Sequence, residues 1–127
     1  MLAEHTGRLG DDSDPFICRR IFSDGYFWLT VDLDELREVE NFHLVYAFGT
    51  PAMCCYRWVR GQGLRHYRID DGEALPLHNA CPLLYSQPET QGAKVLDRFE
   101  KACCGVDPVL AVFVIRKLRE GIALLAA

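Results

Sequence analysis

The sequence predicts an α+β domain: an antiparallel sheet of about five to six strands, with the order β-β-α-β-β-β, packed by a C-terminal helical hairpin. Three observations predict it. Residues 16–70 break into short runs rich in aromatic and β-branched residues, separated by turn residues such as Asp24-Gly25 and Gly61-Gln62-Gly63. From Ser86 to Ala126 the apolar spacing lengthens to three and four residues, the period of an amphipathic helix. At 127 residues the chain is long enough to bury a core as one domain without metal or disulfide staples.

The elements follow in order. Residues 1–15 are polar and acidic (Glu4, Asp11, Asp12, Asp14) and read as a mobile arm ahead of a single domain at 16–127. Phe16 to Phe22 and Tyr26 to Val31 flank Asp24-Gly25, a hairpin signal because both turn residues must take positive φ. A two-residue turn there pairs Phe22 with Phe27, Arg20 with Leu29 and Cys18 with Val31 on one face. Asp32 to Asn41 then reads as a short helix, with Asp32 and Glu35 at cap spacing and Leu33, Leu36 and Val39 on one side. Its outer face, with Asp34, Glu35, Glu38 and Glu40, is acidic. Phe42 to Phe48 reads as a strand broken by Gly49-Thr50-Pro51, and Ala52 to Arg60 and Leu64 to Asp70 read as the next two. Asp71-Gly72 turns the chain into a short edge segment that Pro76 limits, since proline has no N–H for the ladder. After an irregular stretch, Leu83 to Tyr85 adds a last short strand.

The helical hairpin has its own punctuation. Ser86 and Glu89 have capping-box spacing. Val95, Leu96, Phe99, Ala102 and Cys103 line one face, and Gly105 stands where a helix end calls for positive φ. Asp107-Pro108 restarts a helix, with Asp accepting from free N–H groups and Pro placed where no N–H is needed. Leu110, Val114, Leu118, Ile122 and Leu125 form the second stripe.

Composition narrows the class. A net charge of −4 argues against general nucleic-acid binding. The longest apolar run, Val109 to Ile115, has seven residues against the ~20 of a membrane-spanning helix, so no membrane partner is expected. The first residues lack a basic region followed by an apolar one, which points to the cytoplasm, where thiols stay reduced. The six Cys are accordingly not read as three bridges, and two pairs, Cys54-Cys55 and Cys103-Cys104, are adjacent in sequence. Adjacent strand residues face opposite ways, so Cys54 and Cys55 cannot share one core. No phosphate-loop, dinucleotide, nucleophile-elbow or zinc-protease motif occurs, and no cofactor is expected.

Two stretches carry candidate chemistry. Between Tyr56 and Arg68 lie Arg57, Arg60, Arg65 and Arg68 with no acidic residue, interleaved with Trp58, His66 and Tyr67. Guanidinium groups bind carboxylate or phosphate in bidentate fashion and stack on aromatics, so these seven are the candidate ligand- or partner-binding residues. Alternation puts Arg57 with Val59, and Arg65 with Tyr67, on faces opposite to their neighbours Trp58, His66 and Arg68, so the arginines do not form one plate. The competing structural reading pairs them with the acidic segment from Asp34 to Glu40 or with Asp70, Asp71 and Glu73. The second stretch is His78 to Cys81, whose spacing allows both to reach one metal ion or to act as base and nucleophile. Against that, the chain lacks the paired Cys-x-x-Cys spacing of a structural zinc site, and a free Cys usually packs as a small hydrophobe.

The leading expectation is a small cytosolic, non-catalytic binding or regulatory protein that uses an aromatic and Arg-bearing sheet surface for a protein partner or a small anionic ligand. Tyr26, Trp28, Tyr46, Tyr56, Trp58 and Tyr67 on half-exposed strands would be interface anchors, most simply in a homodimer. The alternative is a small enzyme or ligand carrier with a pocket between sheet and helices near His66, Arg68, His78 and Cys81. A single-stranded nucleic-acid binder using the same arginines is a third reading.

Overall fold

A computed structural model describes residues 1–5, 18–70, 83–86 and 92–125. Alternation of buried and exposed positions builds an antiparallel sheet. Its six longer strands are β2 (Cys18–Ser23), β3 (Trp28–Leu33), β4 (Val39–Tyr46), β5 (Cys54–Val59), β6 (Gly63–Asp70) and β7 (Leu83–Ser86). A two-residue strand, β1 (Ala3–Glu4), pairs antiparallel with β2 at one edge. Each strand lies beside its chain neighbour, so the sheet is a plain meander. Helix α1 (Gly92–Ala102), a 3₁₀ turn (Cys103–Gly105) and helix α2 (Pro108–Leu125) follow. The α+β class and the terminal pair of helices are therefore as expected.

The helices cover one face of the sheet. Phe22, Leu29, Val31, Phe42, Leu44, Tyr56 and Trp58 meet Val95, Phe99, Leu110, Val114 and Leu118 in one core. The opposite face carries a smaller cluster of Met53, Cys55 and Ile69, with Val45 and Tyr67 against it. Cys54 and Cys55 thus lie on opposite faces, as alternation requires, and both are buried because each face has apolar cover at that point.

The element order departs from expectation at one place. No helix forms over Asp32 to Asn41: β3 continues to Leu33, a turn occupies residues 34–38, and β4 starts at Val39. Leu33 and Val39 are cross-strand partners, and both are buried. The apolar spacing that resembled a helical stripe therefore marks two strand ends, and the third member, Leu36, is 74% exposed in the turn. Asp34 stops a helix locally. Its carboxylate accepts from the N–H groups of Leu36 and Glu38, and Arg37 takes a φ of 65°.

The first hairpin is also longer than expected. Phe22 pairs with Leu29 and Arg20 with Val31, a register two residues away from that of a two-residue turn. The shift preserves which residues face the core. Asp24 Oδ1 accepts from the N–H groups of Tyr26 and Phe27, which widens the turn and turns Phe27 into the core, its ring 5.5 Å from that of Phe99.

Over residues 1–5, the part of the expected 1–15 arm that is described, the chain is held against the domain. Leu2 is fully buried, its N–H donates to the Ala102 carbonyl at 2.8 Å, and Ala3 and Glu4 pair with β2. Residues 6–17 lie outside the described residues. Gly105 is explained by the same contact. It does not take positive φ; a Cβ there would lie 1.9 Å from the Leu2 carbonyl oxygen, so only glycine lets the two backbones approach. Ser86 closes β7 and the described part of α1 runs from Gly92; residues 87–91, Glu89 among them, lie outside the described residues, and the capping-box reading with them. Asp107 does cap α2, its Oδ1 accepting from the Val109 N–H at 2.9 Å.

Candidate anion site on the open sheet face

The central strands bring three of the sequence-selected residues together. In the register of β4, β5 and β6, His43 sits opposite Arg57 and Arg57 sits opposite Arg65. Next to this row, Val45, Cys55 and Tyr67 are aligned. All of these side chains rise from the face that the helices leave open, because successive strand residues alternate. The β5–β6 turn helps to close the site. Gly61 and Gly63 both take positive φ, near 80°, and the Gln62 N–H donates to the Val59 carbonyl, so the chain returns over three residues. The result is a pocket of about 140 Å³ lined by Arg57, Val59, Gln62, Gly63, Arg65 and Tyr67.

The electrostatics of this pocket are unbalanced. Like charges directly opposite on adjacent strands destabilise a sheet, yet Arg57 and Arg65 form such a pair. Among the described residues neither has a carboxylate within ion-pair distance. Arg57 Nε is buried and has no hydrogen-bond partner among the described residues. A buried donor left unsatisfied costs about 1–3 kcal/mol, more when charged. Burial, and after it the Arg57 charge, holds His43 below the ordinary imidazole value, with Asp32 pulling less strongly the other way. At neutral pH His43 is therefore neutral, and the row carries the two guanidinium charges. Arg19, on the same face, is neutralised by a two-point bond to the buried Asp32 at 2.7 and 3.0 Å.

The other sequence-selected residues go elsewhere. Arg60 follows the structural reading: it pairs with Asp34 and Glu40 at 3.0 and 3.3 Å, tying the two turns together. Trp58 faces the helices, stacked on Phe42 with Lys117 5.7 Å from its ring. His66 is buried on that face, its Nε2 2.7 Å from the Tyr46 hydroxyl and its ring against Tyr46 and Tyr56. Arg68 is exposed and shares the His66 side of β6. The four arginines thus split between faces. His78 and Cys81 lie outside the described residues. Among the described residues no group of three or more His, Cys, Asp or Glu is placed to hold a metal ion. Among the anchors expected for a dimer, Tyr46, Tyr56 and Trp58 are core residues, which leaves Tyr26, Trp28 and Tyr67 half-exposed.

Sequence reasoning missed Gln62, Val59 and His43 as neighbours of the site. The turn glycines around Gln62 were the available signal; His43 joins only through register. Comparison with protein-family models, with curated proteins and with solved structures gives no match. No helix among the described residues is long and apolar enough to cross a membrane.

Proposed function

We propose that this chain is a non-catalytic cytosolic binding protein that takes a small anionic ligand on the open face of its sheet, at Arg57 and Arg65. The observation that carries the reading is the cross-strand arginine pair with no carboxylate partner among the described residues and one buried, unsatisfied Nε. An anion between the two guanidiniums would supply the missing acceptor and remove the repulsion. Five free cysteines among the described residues accord with a reducing compartment.

The test is thermal unfolding at low ionic strength with sulfate, phosphate and acetate, using chloride as the control. Ligand that binds only the folded state raises its stability by mass action. We expect an anion-dependent rise in Tm of several degrees for the native sequence and none for Arg57→Met or Arg65→Met. A shift equal in all salts, or retained in both variants, would reject the site.

A second reading has an observation of its own. On the same face, in the cross-strand row next to that of Arg57 and Arg65, Trp28 is stacked on Phe48, with centroids 5.3 Å apart, and Phe48 is 42% exposed. Such an aromatic ledge beside a cationic pocket suits a protein partner that brings an acidic group. Concentration-dependent sedimentation separates a homodimer from a monomer that awaits another partner.

A further inference from the structure

The pocket also narrows the chemistry of its ligand, given that Arg57 and Arg65 bind an anion at all. We infer that the group held between Arg57 and Arg65 is a terminal phosphate dianion, as in a phosphomonoester, rather than a carboxylate.

Three features of the site support this. The first is charge. Among the described residues Arg57 and Arg65 bring two positive charges to the pocket lining, His43 beside Arg57 is neutral at neutral pH, and Arg19 is already matched by Asp32. A carboxylate would leave one positive charge uncompensated, whereas a phosphomonoester carries close to two negative charges at pH 7. The second is the arrangement of donors. Arg57 comes from β5, Arg65 and Tyr67 from β6, and Gln62 from the turn between them. Residues with guanidinium, phenol and amide donors thus line the pocket from two strands and a turn. Three terminal phosphate oxygens arranged about a tetrahedral centre use such a set more fully than two coplanar carboxylate oxygens do. The third is size. About 140 Å³ is well below the ~300–1,000 Å³ of a site that encloses a whole small molecule, so the pocket takes a headgroup and leaves the remainder outside.

Calorimetric titration at pH 7.5 and low ionic strength tests this with four probes: methyl phosphate, dimethyl phosphate, inorganic phosphate and acetate. Methyl phosphate and dimethyl phosphate share the tetrahedral centre and differ in charge. We expect methyl phosphate to bind at least tenfold more tightly than dimethyl phosphate or acetate, with the difference lost in Arg65→Met. Arg65 is exposed, so that variant is expected to fold, and its far-ultraviolet circular dichroism checks this. Inorganic phosphate binding as well as the methyl ester supports the inference with free phosphate as the source. Tighter binding of the ester supports it with a phosphorylated small molecule. Acetate or dimethyl phosphate binding as tightly as methyl phosphate overturns the dianion inference and leaves an anion site standing. No heat or Tm response with any of the four overturns both.

Discussion

Cys54 packs beneath the helices while Cys55, its neighbour in the chain, is buried in the small cluster of the opposite face. Burial pushes the Cys55 and Cys103 thiols up to about 12, which leaves little thiolate, the reactive form, at neutral pH. Cys18 and Cys104 are exposed. Brief maleimide treatment followed by peptide mapping is expected to modify Cys18 and Cys104 in the folded protein. Cys55 and Cys103 should react only after denaturation, and modification of Cys55 at the rate of Cys104 would contradict the burial described here. At this scale the sequence was informative about direction and silent about distance. Alternation alone assigned Arg57, Arg65 and Tyr67 to faces opposite Trp58, His66 and Arg68. It did not reveal that Arg57 and Arg65 are cross-strand partners, because register depends on the turn at residues 60–62 and on the length of each strand.

Among the elements, the 3₁₀ turn between the helices has the narrowest tolerance. Its Gly105 touches the Leu2 backbone so closely that any side chain must displace residues 1–4. Gly105→Ala is expected to release Leu2 from the core, at a cost of about 1.5–3 kcal/mol for the exposed leucine. Urea unfolding measures the loss, and faster amide exchange at Leu2 would place it. A variant as stable as the parent would mean that the turn can move away without loss. The sequence marked this glycine but for a different reason, since helix ends commonly want positive φ and the close approach comes from residue 2. The residue 32–41 segment illustrates a related ambiguity. Apolar residues spaced three apart fit a helical turn, and they also fit two strand ends joined by a tight loop. The Asp34 hydrogen bonds and the pairing of Leu33 with Val39 decide in favour of the loop.

For the whole molecule, one ion cluster connects the sheet edge to the second helix. Arg20 binds Glu4 at 2.7 Å through two nitrogens and Asp107 at 3.1 Å through a third contact. Arg20 holds the carboxyls of Glu4 and Asp107 below their ordinary values, with the Val109 N–H assisting at Asp107. Groups whose folded pKa is depressed stabilise the fold above their ordinary pKa, and the contribution is lost as pH falls through the folded value. Stability should therefore decline below about pH 4.5, the ordinary value for Glu4. Glu4→Gln should flatten that decline, as Tm measured from pH 6 to pH 3 would reveal; an unchanged slope would show that other carboxylates govern it. The sheet-plus-hairpin plan was legible in the sequence because strand and helix periods differ. The attachment of the chain's start was not, since two residues of strand are too short to show any period. That attachment also sets an order of assembly. Strands β2 to β7 can be added one after another as the chain is made, each to the one before it, using contacts close in sequence. The bond from Leu2 to the carbonyl of Ala102 must wait for the helices. β1 thus precedes the sheet in the chain yet is secured only after the helices, and until they dock the face bearing Phe22, Leu29, Phe42 and Tyr56 stands uncovered.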